Sequence, residues 1–233
     1  MRADLARPFS FYMQLEELVS AIYNDLISGT MIPASNRQFI SLDQIEDECI
    51  ETRATIIREW YLKSLLTKGE LAVALNCVEV DCKDQNKCVC KGIPNAKLAK
   101  HFEIPALAEG LGDEAITFIG STDRDEYYKV YFTKEATRYH QYKKRAFNKP
   151  YVYIERTLNE NGKYDGWIFN APYVKNIAII ATFKDPRQLK EYNCCTDVDY
   201  LDMGSISDEI KRRILNKKLQ LYRTPLYQAP QNI

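Results

Sequence analysis

The sequence predicts an α+β fold: a helical core from N-terminal helices and a C-terminal helix, an inserted and mostly antiparallel β region, and an extended C-terminal arm. Three observations lead there. Apolar residues recur at spacings of three and four as far as Gly69. Short runs rich in Tyr, Ile, Val and Phe then follow one another to Phe183. Helical spacing returns after Pro186 and stops before Pro225 and Pro230. The expected organisation is residues 1–69 as the helical part of the core, 70–190 as the inserted β region with a Cys-rich loop, and 191–233 as the closing helix plus the arm.

Ser10 is placed to cap the first helix, whose stripe is Phe11, Leu15, Leu18, Val19, Ile22, Leu26 and Ile27, with Gly29 as its stop. The second helix opens on a capping box, Ser41-x-x-Gln44. Asp43, Glu46, Asp47 and Glu48 load its first turns with negative charge, where the helix dipole favours it. Ile45, Cys49, Ile56, Ile57, Trp60, Leu65 and Leu66 form its stripe, so it is predicted to run from Leu42 to Lys68, about 27 residues or roughly 40 Å. Strands are predicted at Leu71–Val80, Ala115–Gly120, Tyr127–Phe132, Tyr151–Arg156, Lys163–Phe169 and Ile177–Phe183. Asn159-Glu160-Asn161-Gly162 marks a hairpin turn within 151–169, and Ile177–Ala181 is apolar on both faces, as a central strand is. A short helix is predicted at Thr133–Tyr142. The linking stretches are too short for repeated right-handed crossovers, hence the antiparallel expectation. Ser205-x-x-Asp208 opens the last helix, with Ile206, Ile210, Ile214, Leu215, Leu219 and Tyr222 on one side and Lys211, Arg212, Arg213, Lys217 and Lys218 on the other.

A chain of 233 residues can bury roughly 70% of its extended surface in one large domain or two small ones, without help from a metal or a disulfide. Its 32 Lys+Arg balance 32 Asp+Glu, which argues against a dedicated polyanion binder. The 16 Tyr, against 9 Phe and 2 Trp, suit strands and protein interfaces, because Tyr buries a ring while keeping one wet atom. No apolar run reaches the roughly 18 residues of a membrane span. Met1–Pro8 carries Asp4 and lacks the apolar stretch of a secretory signal. The 7 cysteines are odd in number and crowded, so they are read as mostly reduced thiols made in a cytoplasm.

Four of those cysteines, Cys77, Cys82, Cys88 and Cys90, are the only candidate metal ligands. Thiolates can hold a tetrahedral zinc, but paired knuckles and a nearby His are missing, so local packing of small thiols is the favoured reading, with a transient disulfide as a third. His101 and His140 lie in no catalytic frame, Gly110-Leu111-Gly112 reads as a turn, and Ser121–Glu126 reads as an acidic hairpin turn. Between Lys134 and Lys149, cations interleave with Tyr139, Tyr142 and Phe147. That stretch suits a plain surface, a subunit contact or a nucleic-acid backbone, and Lys143, Lys144 and Arg145 are its candidates for facing DNA. No set of convergent titratable groups is legible, so no catalytic residue, no cofactor and no enzymatic activity are expected. The acidic stretch 43–51, with Glu46 and Asp47, and the basic stretch 211–223, with Lys211, Arg212 and Arg213, are predicted to meet between copies in a head-to-tail interface. Tyr222, Leu226 and Tyr227 are the candidate anchors of the arm on a neighbour.

Several strings carry a resemblance. They are Phe11-Tyr12-Met13-Gln14-Leu15-Glu16-Glu17-Leu18 and Arg58-Glu59-Trp60-Tyr61 leading to Lys68-Gly69-Glu70-Leu71. The Cys-rich loop follows, with Gly92-Ile93-Pro94, Ile104-Pro105 and Ile116-Thr117-Phe118-Ile119-Gly120-Ser121. Asp197–Met203 then leads into Ser207-Asp208-Glu209-Ile210. In layout and in these strings the chain resembles the head-to-tail connector (ring or adaptor) proteins of tailed phages, in particular crAss-like podoviruses and their relatives infecting Bacteroidetes. The resemblance implies a virion structural protein of the neck, assembled in the host cytoplasm, with no catalysis and no membrane. It implies a ring of about twelve copies between portal protein and further ring or tail proteins, extending the channel for packaged DNA. The alternative from the residues alone is a nucleic-acid-binding regulatory module, zinc-assisted through the Cys-rich loop.

Overall fold

The computed structural model describes residues 15–28, 32, 37, 39–67, 69–81, 99–108, 115–134, 136, 149–192 and 204–223. The fold is α+β, with helices from both ends of the sequence and sheets between them. Among the described residues, those up to Trp60 join those from Gly204 onward in one compact unit, and those from Tyr61 to Tyr192 form a second.

The first unit is helical. Helix α1 (Leu15–Ser28) buries Leu15, Leu18, Val19, Ile22 and Leu26, the predicted stripe, and packs on α3 (Gly204–Arg223), which buries Ile206, Ile210 and Ile214. Helix α2 (Leu42–Leu62) buries Ile45, Cys49, Ile50, Ala54, Ile56 and Ile57. Its cap forms as the sequence predicts: the Gln44 N–H donates to Ser41 Oγ at 3.2 Å. Burial pushes the Cys49 thiol up to about 12, so it stays protonated as a core side chain.

Two helix boundaries differ from expectation. Helix α2 has 21 residues, not the predicted run to Lys68. The chain turns at Ser64, whose φ of 56° is left-handed and whose N–H donates to the Tyr61 carbonyl at 2.9 Å. Beyond it Leu66 is buried but Leu65 is exposed, so the predicted stripe does not continue as one helical face. Gly69, the expected stop, instead serves the next turn with φ 86°, where Glu70 accepts bonds from the Thr67 N–H and hydroxyl at 2.9 and 3.0 Å. At α3, Ser205 is already inside the helix rather than its cap. Ser10 and Phe11, most of Thr133–Tyr142, and the expected arm from Thr224 to Ile233 lie outside the described residues.

Among its described residues the second unit holds seven strands: β1 (Val73–Glu79), β2 (Lys100–Pro105), β3 (Ile116–Gly120), β4 (Lys129–Tyr131), β5 (Tyr151–Leu158), β6 (Lys163–Phe169) and β7 (Asn176–Ala181). A short 3-10 helix, Pro186–Tyr192, follows. They form a three-stranded sheet in the order β1-β7-β3 and a four-stranded sheet in the order β2-β6-β5-β4. Every pair is antiparallel except β4 with β5. Strand β7 is central, as its two-faced apolar run predicts, and Ile177, Ala178, Ile179 and Ala181 are fully buried. The predicted hairpin is β5–β6: Asn159 Oδ1 accepts from the N–H of Asn161 and of Lys163, both at 3.0 Å, and Gly162 takes φ 71°. Strand β2 is absent from the predicted set.

Alternation sorts the four-stranded sheet into two faces. One carries Phe102, Ile104, Val152, Ile154 and Ile168. The other carries Tyr151, Tyr153, Trp167 and Phe169, with Tyr151 stacked on Phe169 at 4.8 Å and Tyr153 on Trp167 at 5.6 Å. Gly166 stands opposite Phe102, and a Cβ there would lie 2.6 Å from both Cε atoms of that buried ring. Gly166→Ala is therefore expected to destabilise the protein by about 1–3 kcal/mol in equilibrium urea unfolding. A loss within about 0.5 kcal/mol, as at an ordinary surface position, would show that the ring is free to move aside.

Candidate functional site

The basic side of α3 meets carboxylates of its own chain. Lys211 Nζ lies 2.8 Å from Asp25 on α1. Arg213 gives Nη1 and Nη2 to the two oxygens of Glu59 at 3.0 and 2.7 Å, and its Nε to Glu209 at 2.7 Å. Arg212 holds the same Glu209 through Nε at 2.7 Å and Nη2 at 2.6 Å. Lys218, with only 5% of its side chain exposed, meets Glu48 at 2.7 Å and lies 6.0 Å from the centre of the Tyr222 ring. Lys217 stands 3.8 Å from the other Glu48 oxygen. Glu48 with Lys218 and Glu59 with Arg213 set α2 and α3 antiparallel. Arg212 first and Arg213 second hold the Glu209 carboxyl down at about 2. Glu59, then Glu209, raise Arg213 above the ordinary guanidinium range.

Within the chain, acidic and basic residues meet, because antiparallel helices bring residues 48–59 alongside 213–218. Lys211, Arg212 and Arg213 are engaged there, and Glu48 is the acid the sequence left out of the interface set. Glu46 is half-buried and Asp47 exposed on α2. Tyr222 is half-buried beside Lys218. Leu226 and Tyr227, Lys143, Lys144 and Arg145, and Cys82, Cys88 and Cys90 lie outside the described residues. Cys77 is an exposed thiol on β1.

The second unit brings together residues that the sequence did not single out as a set. His101 and Glu103 are two apart on β2 and so share a face, and Glu103 stands directly opposite Asp165 on β6. His101 Nε2 lies 2.6 Å from Asp165 Oδ1, and that oxygen also accepts from Asn159 Nδ2 at 3.5 Å. One ligand atom from each of His101, Glu103 and Asp165 falls within 4.8 Å of the others. His101 is buried, its ring edge-on to Trp167 at 5.5 Å. Beside it is a cavity of about 400 Å³ whose wall carries Glu79, Asp81, Glu103 and Glu191 against Lys163 and His101. Lys163 is itself engaged, 2.6 Å from Glu191 and over the Tyr192 ring at 5.2 Å, and chiefly Glu191 raises its pKa. Burial raises the Tyr192 phenol, against the opposing pull of Lys163.

Cys77 lines this same cavity, and Asp81 and His101 exchange backbone bonds at 2.8 and 2.7 Å. The signal for this site was the alternation His101-x-Glu103 facing Asp165, legible only once β2 is recognised and its register known. No known protein family matches this chain, and no curated protein matches it. Among the described residues, no helix is long and apolar enough to cross a membrane.

Two expectations follow from the helical unit. Removing Glu48 leaves the buried Lys218 ammonium without its carboxylate, so Glu48→Ala should cost about 3–5 kcal/mol. Lys218→Met keeps the packing stem and leaves Glu48 partly exposed with Lys217 at 3.8 Å, so it should cost less than Glu48→Ala; urea melts of both variants check the order, and equal costs would refute it. Glu209, lowered from 4.5 to about 2, contributes stability that is present above about pH 4.5 and is lost as the pH falls through about 2. Glu209→Gln should therefore lower the Tm near neutrality, and the gap to the parent should close on acidification. A gap that does not change with pH would mean that the two arginines do not stabilise this carboxylate.

Proposed function

We propose that the protein is a virion structural component, a head-to-tail connector of the ring or adaptor type. In this reading copies of the chain assemble between portal and tail around the DNA channel. The observation that carries the class is the internal matching of charge on α3. Lys211, Arg212, Arg213, Lys217 and Lys218 each have a carboxylate of the same unit within 4.0 Å. Nucleic-acid affinity of the salt-dependent kind needs cations that phosphates can neutralise. A helix whose cations are already matched suits packing against protein better than tracking a polyanion, and this favours assembly over the regulatory DNA-binding alternative. Large apolar side chains left in solvent on the same unit, Phe39, Leu42 and Leu221, agree with contacts to further chains. The resemblance in layout to phage connectors supplies the specific setting.

Mass spectrometry with imaging of purified virions tests the reading directly. The expected result is a multi-copy protein located in a neck ring. Absence from particles would end the connector assignment, and a monomer whose DNA affinity falls steeply with salt would put the regulatory module in its place.

A further inference from the structure

We propose that His101, Glu103 and Asp165 form a binding site for one divalent first-row cation of the Mn2+ type. The inference concerns the β unit alone and stands whether or not the connector reading does.

The first argument is electrostatic. Glu103 and Asp165 occupy directly opposed positions of an antiparallel ladder. Like charges so placed repel, and sheets ordinarily put opposite charges or apolar pairs there. The adjacent wall adds Glu79, Asp81 and Glu191, while its lysine, Lys163, is drawn to Glu191 at 2.6 Å. A concentration of acid beside a buried imidazole lowers the local potential and favours a cation. Lys100, next to His101 on the strand, does not serve: its Nζ donates to the Val174 carbonyl at 2.5 Å.

The second argument is geometric. Ligands about 2.1 Å from a divalent ion stand about 3 Å apart when adjacent and about 4 Å apart when opposed. His101 Nε2 and Asp165 Oδ1 share a hydrogen bond at 2.6 Å, so a bound cation would displace its proton and widen the pair to about 3 Å, with all three donors already within 4.8 Å of one another. The donors sit on two paired strands with continuous register from Lys100↔Ile168 to Pro105↔Lys163, which fixes their backbone positions. Asn159 Nδ2 steadies Asp165 and the Trp167 edge steadies the imidazole, the outer contacts that orient metal ligands. The cavity of about 400 Å³ gives an approach path and room for water to complete the coordination.

Donor chemistry sets the class. One imidazole with two carboxylates is harder than a thiolate set and suits Mn2+, Fe2+ or Zn2+. An all-oxygen shell of the calcium kind is not what these residues offer.

The test uses the full chain purified with chelator and titrated with Mn2+, followed by the loss of free-ion EPR signal and by thermal melting. The parent should bind one equivalent, and its Tm should rise with Mn2+ as a ligand specific to the folded state requires. Glu103→Gln and Asp165→Asn should each weaken binding at least about 10-fold and abolish the Tm rise. The metal-free Tm and far-UV circular dichroism of each variant, set against the parent's, separate a lost site from a lost fold. Replacing Cys82, Cys88 and Cys90 together by Ser should leave Mn2+ affinity unchanged. A parent that binds no Mn2+, binding that survives both carboxylate substitutions, or binding lost only with the cysteines would each overturn the proposal.

Discussion

Strand β6 pairs with β2 on one side and with β5 on the other, and this double register governs the second unit. Side chains alternate along a strand, so fixing β6 between two antiparallel partners decides which residues share a face. Trp167 then falls beside Tyr153 and His101, and Phe169 beside Tyr151. Asp165, two residues before Trp167, comes to stand opposite Glu103 on that same side. A slip of one residue would send Asp165, Trp167 and Phe169 to the face that buries Phe102 and Ile104. The absence of a side chain at Gly166 lets the Phe102 ring lie over the ladder at the middle of this pairing. Aromatic packing and the polar cluster are therefore consequences of one alignment.

The helical unit is built on a different constraint, the meeting of residues far apart in sequence. Helix α1 packs on α3, and Glu59 of α2 reaches Arg213 of α3. The separation of 154 residues between Glu59 and Arg213 adds little cost to their meeting, because closure entropy grows only with the logarithm of the intervening length. Two carboxylates share Arg213, and Glu209 is shared in turn by two guanidiniums. Such a network fixes the axial register of the helices in a way that the greasy stripe alone, with its repeating Ile and Leu, does not.

Much of this architecture was legible in the sequence, and the failures have physical causes. Periodicity identified α1, α2 and α3, because each buries one stripe against a single layer. The Ser41 cap and the Asn159–Gly162 turn were legible because those residue types do a specific backbone job. The end of α2 was not, since the left-handed turn there falls on Ser64 instead of a glycine. Strand β2 escaped because Lys100-His101-Phe102-Glu103-Ile104-Pro105 is short, half polar and closed by a proline, and its apolar residues number only two before that proline. With β2 went the cluster: His101 and Glu103 mean little until a partner strand supplies Asp165. Charge complementarity between residues 43–51 and 211–223 was visible, but sequence cannot distinguish an intrachain from an interchain pairing when both satisfy the same charges.

The two units treat charge in opposite ways, and the contrast is informative. In the helical unit Lys211, Arg212, Arg213, Lys217 and Lys218 each face an acid, and Glu48 and Lys218 are matched even where burial makes an error costly. A sequence able to place partners so consistently in one unit nevertheless sets Glu103 against Asp165 in the other. Asp165 has His101 at 2.6 Å, and a cation beside the two carboxylates would ease their opposition further. It is tolerated where the stacked pairs Tyr151–Phe169 and Tyr153–Trp167 hold the sheet together independently of the polar end. Departures from local consistency of this kind concentrate at sites of function rather than at random positions. On the proposed reading, the opposed carboxylates mark the part of the molecule where cation binding, rather than folding, accounts for the choice of residues.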